Sequence, residues 1–505
     1  MSYIMNPYRK SVFSVAASIS ILMACLSVPQ RLTGQESPST PISKVERKNK
    51  APLSRDILRV NLPRPVEAKL KNGLTVLIAE DHRFPAVSVQ LQIGAAGALF
   101  EPANLAGLAS VTAQMLREGT KSRTSKQIAE EADKLGAGFG AGAEFGSSVT
   151  TFGASGLSDN FDSWFSLALE VLLHPTFPDG ELDNLKQRLR VQLRQQRAAP
   201  NFLVSERFYR AVYGAHPAAI VSATAASIDS LTPEILAKWH RERYVPQNAI
   251  LGFAGNVRAT ELIPKLEKWL ASWKPSGLQE ALPANAAPST ERKIYLVDRP
   301  NSVQTTIALG NIAIDRRSPD YIPMVVMNHL LGGGPAARLF LNLREEKGYT
   351  YGVYSDFTAV RYAGPWRAGG NMRTEVTADA VNEFFNEIRR IRDEKVADAE
   401  LADTKRAITA RFALSLEQPT GVLAFAMVRK TYGFPADYWD TYPAKIMAVT
   451  ADDVQRVARK YLNPDKMQLV AVGDVSKIKS ALEKYGPIEV YDSSGNLAPI
   501  SKTVE

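Results

Sequence analysis

Two stretches of this chain, residues 232–257 and 450–475, copy one another at a fixed offset. Thr232 and Thr450, Pro246 and Pro464, Gly255 and Gly473, and Val257 and Val475 each stand 218 residues apart. In both copies a Thr opens an amphipathic run, a Pro interrupts it, and an apolar run ends at Gly-Asn-Val or Gly-Asp-Val. Thr is a good helix N-cap because its hydroxyl accepts from a free backbone N–H of the first turn. Pro then forces a turn, and the apolar run reads as a strand. A further helical pattern follows each copy, at 260–273 and 477–486. A third likeness joins the helix start at 107–120 to that at 322–348. Repetition across helix, turn and strand predicts a duplicated fold. The chain of 505 residues therefore divides into an N-terminal half (57–275), a linker rich in Pro, Ala and Ser (276–292), a C-terminal half (293–487) and a tail (488–505).

Within the first half, alternating apolar runs at 74–82, 86–97 and 148–156 predict strands, and apolar residues at helical spacing predict helices over 124–136, 161–173 and 180–197. The expected class is α+β: two homologous halves, each of mostly antiparallel sheets covered by helices. Net charge is +9, but the first 56 residues hold 8 basic and 3 acidic residues. The remainder is close to balanced and lacks the basic footprint of a nucleic-acid binder.

The first 34 residues read as an export signal, with Arg9 and Lys10 preceding an apolar run over 12–28. The only Cys, Cys25, ends the run Leu22-Met23-Ala24-Cys25. It is either the acylated Cys of a lipoprotein signal or one more apolar residue of an ordinary one. Residues 35–56, rich in Ser, Pro, Lys and Arg, read as a flexible tether. The expected location is periplasmic, with membrane contact only through a lipid on Cys25.

Several chemistries are excluded by count or spacing. One Cys allows neither disulfide framework nor thiolate zinc site. The five His (82, 174, 216, 240 and 329) include no pair at i, i+3 or i, i+4, so no helix offers a two-His metal face. The Gly-rich run 136–146 does not fit a dinucleotide loop and follows a helix pattern, so it reads as a turn into a strand pair. Gly332-Gly333-Gly334 lacks the Lys-Ser/Thr of a phosphate loop. It is either a structural hinge or a loop whose bare backbone approaches a substrate. No Gly-x-Ser-x-Gly elbow is present. The helix over 186–197 carries five cations and no acid and reads as a solvated or chamber-lining face.

The two-half plan resembles the pitrilysin/insulinase-type zinc metallopeptidases, in the branch of the mitochondrial processing peptidase, over roughly residues 60–485. That family carries Gly-Leu-Ala-His-x-x-Glu-His-Met-x-x-x-Gly-Thr, where the two His bind zinc and the Glu is the general base. Here the frame runs Gly107-Leu108-Ala109 through Met115 to Gly119-Thr120. Ser110 and Gln114 stand at the two His positions and Ala113 at the Glu. The distal ligand Glu should fall within 189–194, where there is no carboxylate. Hydroxyl and amide are poor ligands for a first-row cation, so no metal is expected in this chain.

The resemblance also implies an Arg and a Tyr, seven residues apart in the second half, which face the zinc of an opposing half. Arg344 and Tyr351 have that spacing. The implied role is to donate hydrogen bonds to the developing oxyanion. The opposing reading is that Arg344 pairs with a neighbouring Glu and Tyr351 packs in a sheet. Helical spacing places Ala336, Leu339, Phe340 and Leu343 on a buried stripe with Arg344 just beside it, and strand alternation places Tyr351 with Val353 and Ser355. The family likeness implies half of a clamshell chamber, a homologous zinc-bearing partner subunit, peptide substrates, and activity only with that partner. A non-enzymatic peptide-binding or scaffold protein of the same fold is the alternative.

Overall fold

The computed structural model describes residues 62–498. The leader, Cys25 and the tether lie outside them. Twelve strands form two six-stranded sheets. The first sheet takes β1 (Val66–Lys69), β2 (Thr75–Glu80), β3 (Ala86–Gly94), β4 (Gly138–Gly142), β5 (Val149–Leu157) and β6 (Ala249–Gly255), in the order β1-β2-β6-β3-β5-β4. The second takes β7 (Ile294–Asp298), β8 (Gln304–Ile314), β9 (Thr350–Ala359), β10 (Ala363–Arg373), β11 (Gln468–Gly473) and β12 (Ile488–Tyr491), in the order β12-β7-β11-β8-β10-β9.

Five strands of each sheet correspond in order, with β6 and β11 equivalent. These are the apolar runs of the repeat, and the helices before them are capped as expected. Thr232 accepts from the N–H of Ile235, and Thr450 forms a reciprocal capping box with Asp453. Both sheets are mixed, with most pairings antiparallel. The duplication fails at one edge, since β1 runs antiparallel to β2 whereas β12 runs parallel to β7. Strand β12 occupies the start of the expected tail. The Gly-rich run also differs from expectation: Gly138–Gly142 is itself the edge strand β4.

One face of each sheet packs on its own half's helices around a large apolar core. The opposite face is covered by a helix from the other half. Helix Pro200–Tyr213 lies on β11 and β8, burying Leu203, Val204, Phe208 and Val212 with Val297, Ala308, Val470 and Val472. Reciprocally, helix Pro419–Tyr432 lies on β2 and β6, where Leu423, Ala426 and Met427 pack on Leu77, Ala79 and Ala254. Removing these apolar side chains from water at ~25 cal/mol per Å² ties the halves together. The linker is held as well: Asn285 Oδ1 accepts from the N–H of Ala363 at 2.8 Å, and Glu280 pairs with Arg361. Among the described residues no helix is long and apolar enough to cross a membrane.

Candidate functional site

Helix Leu108–Met115 opens at Gly107, whose φ of 100° suits only glycine well. The free N–H groups of its first turn are met by Glu101. That carboxylate accepts from Gly107 N at 2.8 Å and from Ala109 N at 2.5 Å. Burial pushes the Glu101 carboxyl up to about 7, against the pull of those two donors. The frame of the family motif is thus a real helix with a dedicated cap.

Its chemistry differs from that of a metal site. The Gln114 amide donates to Ser110 Oγ at 3.1 Å, so the two positions occupied by His in zinc-binding members satisfy one another. Ala113, between them, is 1% exposed and has no proton-accepting group. In the segment 189–194, on helix Asp179–Arg197, where the distal carboxylate would stand, Arg190 grips Asp229 at 2.6 and 2.9 Å. An alkyl group, a hydroxyl, an amide and a cation do not fit zinc, which takes thiolate, imidazole or carboxylate. Among the described residues no group of three or more His, Cys, Asp or Glu is placed to hold a metal ion.

The second half brings Arg344 and Tyr351 together. The helix over Arg338–Phe340 widens into a π-turn over Leu341–Glu346, with Lys347 N bonded to Asn342 O at 3.0 Å. The Arg344 guanidinium carbon lies 4.7 Å from the ring centroid of Phe340 and 4.8 Å from that of Tyr351. Arg344 Nε also lies 3.5 Å from a Glu345 carboxylate oxygen. Both rings are within cation–π range of the guanidinium, whose N–H groups make no side-chain hydrogen bond among the described residues.

Two expectations need correcting here. The helix starts at Arg338, so Ala337 is buried while Ala336 is exposed; Leu339, Phe340 and Leu343 do form the buried stripe. Tyr351 does not share the face of Val353 and Ser355. The register between β9 and β10 shifts between Gly370 and Met372: Gly370 pairs with Val353, but Met372 pairs with Thr350. The extra residue is a β-bulge. It leaves Val353 and Ser355 buried and Tyr351 88% exposed. Alternation alone cannot reveal a bulge, but Gly352 beside Tyr351 is a signal for one.

The three glycines serve different ends. At Gly332 a Cβ would lie 2.5 Å from both N and Oγ of Ser355, so the helix end can close on β9 only without a side chain. At Gly333 a Cβ would meet the previous helical turn. At Gly334 it would meet nothing within 4 Å. The packing accounts for Gly332 and leaves Gly334 open.

Sequence reasoning missed the polar base beneath the π-turn. Asn342 Nδ2 donates to Glu383 at 3.0 Å and to Glu387 at 2.8 Å, and Glu387 is 2% exposed and also bound by Arg390. The only signal was an Asn inside an otherwise apolar stretch.

A duplicated α+β pair of halves that share the order of five strands matches the two-lobe architecture of the insulinase-type peptidases. Residues 75–223 match the family model for insulinase (peptidase family M16), and residues 230–408 match that of the peptidase M16 inactive domain. The chain belongs to this family. A Rickettsia felis relative described as an uncharacterized zinc protease is 26% identical over 405 residues, 78% of this chain and 94% of its own. A Bacillus subtilis protein of the same description is 23% identical over 351 residues, 69% of this chain and 83% of its own. The crystal structure of a peptidase M16 inactive domain from Pseudomonas fluorescens is 27% identical with a TM-score of 0.75, covering 81% of this chain and 98% of that one. A Helicobacter pylori protease shares the fold at 19% identity and a TM-score of 0.74, covering 81% of this chain and 100% of that one.

Proposed function

We propose that this chain is the zinc-free subunit of an exported heteromeric metalloendopeptidase of the processing-peptidase branch. Its Arg344/Tyr351 pair and its wall of the chamber serve a homologous zinc-bearing partner. The supporting observation is an asymmetry. At the half-site of Ser110, Ala113 and Gln114 the hydroxyl and the amide bond to each other, whereas Tyr351 stands 88% exposed with the Arg344 guanidinium 4.8 Å from its ring centroid. An exposed tyrosine held by an arginine is suited to a ligand that arrives from outside the chain.

Zinc held by the partner would supply Lewis-acid polarisation of the peptide carbonyl. This chain's own groups bind and orient. The Tyr351 hydroxyl and the edge N–H groups of Arg344 donate toward the oxygen that gains charge, and such a donor is worth roughly 3 kcal/mol in the transition state. Peptides or unfolded segments are the substrates.

The experiment compares the chain alone with the chain plus a homologous subunit bearing His-x-x-Glu-His. We expect no stoichiometric zinc and no turnover alone, and cleavage of an unstructured peptide by the pair. Zinc-dependent cleavage by the lone chain overturns the reading. Tight peptide binding with no competent partner supports the scaffold alternative instead. Export and acylation at Cys25 belong to the same proposal. A Cys25→Ser variant should move from the membrane to the soluble fraction; unchanged partition makes Cys25 an ordinary residue of the signal.

A further inference from the structure

Arg344 and Tyr351 stand seven residues apart, and the backbone between them is committed. Gly348, at φ 63°, ends the helix with its N–H on Arg344 O at 3.1 Å, and Tyr349 N donates to Leu343 O at 2.9 Å. Strand β9 then begins at Thr350. With so little chain between the two, the place of the guanidinium beside the Tyr351 ring follows the register of the helical segment that ends at Glu346. That register contains a π-turn, which holds one residue more than an α-turn. Relaxing it to an α-turn would rotate one side of the insertion by ~100° against the other. Phe340 lies on one side and Tyr351 on the other, so Arg344 would lose one of its two rings.

A π-turn is rare, mostly a single turn inserted in an α-helix, so its surroundings must favour it here. The start of this helix is fixed by Arg338, whose Nε and Nη2 each donate to Glu400 at 2.8 Å. Leu339 and Leu343 are buried in the core of the second half. They keep the i, i+4 spacing of an ordinary α-helix, so their burial does not call for a π-turn. Asn342 acts on the widened turn itself. Its backbone carbonyl accepts the i→i+5 bond from Lys347 N at 3.0 Å. Its side-chain amide donates to Glu383 at 3.0 Å and to Glu387 at 2.8 Å, four residues apart on helix Thr377–Asp393. Both carboxylates are steadied by other donors. Asn386 Nδ2 reaches Glu383 at 3.3 Å, and Arg390 reaches Glu387 at 2.9 and 3.1 Å. Hydrogen bonds to ionised acceptors are roughly twice as strong as neutral ones.

We infer that Asn342 is the positioning residue of the Arg344/Tyr351 pair. It pins the π-turn to helix Thr377–Asp393 and so keeps the Arg344 guanidinium beside the Tyr351 ring. The inference rests on the proposed function only for the use to which the pair is put; the positioning is a property of this chain alone. Asn suits the task because both of its amide N–H groups donate, one to each carboxylate. An Asp in its place would keep the shape, lose both donors and add a third negative charge.

The contact can be read without a partner subunit, by NMR of the full chain labelled with 15N-arginine. The Arg344 Nε–H cross-peak is assigned by its loss in Arg344→Lys, and Tyr351→Leu shows where it falls without the second ring. Asn342→Ala and Asn342→Asp should both move the peak from its parent position toward that of Tyr351→Leu. Arg338→Gln breaks the ion pair with Glu400 at the start of the same helix; it should lower Tm and leave the peak in place. If the peak stays put in both Asn342 variants, or moves as far in Arg338→Gln, Asn342 is one more structural contact and the inference is wrong. In the reconstituted complex Asn342→Ala should lower kcat about tenfold or more with KM within about twofold. A displaced peak with unchanged kcat would support the positioning and overturn the role proposed for Arg344 in turnover.

Discussion

Gly252 and Leu423 meet across the two halves of the molecule: a Cβ on Gly252 would stand 2.7 Å from Leu423 Cδ1. The centre of the first sheet is bare at that point because a helix of the second half fills the space. Each sheet is completed by a helix from the other half, so the halves are expected to unfold as one cooperative unit.

This contact can be measured as a coupling. Leu423, fully buried, should cost about 2–5 kcal/mol when truncated to Ala. Gly252→Ala should cost about 1–3 kcal/mol through overpacking. The double variant should be more stable than the sum of the two, since the new methyl enters the space that Leu423 vacates. Urea denaturation of all four proteins gives the coupling; simple additivity would mean that the two residues do not press on each other.

Tyr351→Phe removes one hydroxyl from a side chain that is 88% exposed, so folding stability should hardly change. In the reconstituted complex kcat should fall roughly 10²–10³-fold with subunit affinity unchanged. Arg344→Ala should likewise leave Tm within a few degrees, because the side chain is 36% exposed and its 3.5 Å ion pair with Glu345 is weak. Turnover at the parent rate in Tyr351→Phe removes the hydroxyl from the mechanism.

The glycine run separates packing from contact with ligand. Gly332→Ala forces a methyl into the backbone N and Oγ of Ser355 and should cost about 1–3 kcal/mol. Gly334→Ala meets nothing within 4 Å and should be neutral for stability. A change in peptide affinity in Gly334→Ala at unchanged Tm would mark the loop as a ligand contact.

Asp320 should make part of the second half's stability sensitive to acid. Burial opposes its charged form, but hydrogen bonds from Lys460, Arg456 and Tyr461 outweigh it and hold the carboxyl down to about 2. Lys460 and Arg456 lie 2.7 and 2.6 Å away. A depressed carboxylate stabilises fully above its unfolded pKa near 4 and loses that contribution as pH falls toward 2. Asp320→Asn should therefore destabilise by roughly 3 kcal/mol at neutral pH, and the gap to the parent should narrow from about pH 4 and close near pH 2. A gap that stays constant down to pH 2 would contradict the assignment.

Glu101 has the opposite sign. Its carboxyl is raised to about 7 by burial, so the folded state holds the proton more tightly than the unfolded one. The contribution is complete below about pH 4.5 and is lost as pH rises through about 7. Glu101→Gln should match the parent near pH 5 and exceed it in Tm above pH 7.5. Melting both proteins across this range tests it. Parallel curves would mean that the two backbone donors keep Glu101 ionised at little cost.

Much of this was legible in the chain itself. The constant offset between Thr232 and Thr450 announced the duplication, because capping, turn and strand chemistry are local and leave local marks. The loss of metal chemistry at Ser110, Ala113 and Gln114 was equally plain, since ligand type is residue identity. Tertiary structure decided the rest. Amphipathic periodicity says that helices 200–213 and 419–432 bury a face, but not that each buries it on the other half's sheet. Residue spacing put Arg344 and Tyr351 seven apart, but only strand pairing shows the bulge that turns Tyr351 outward.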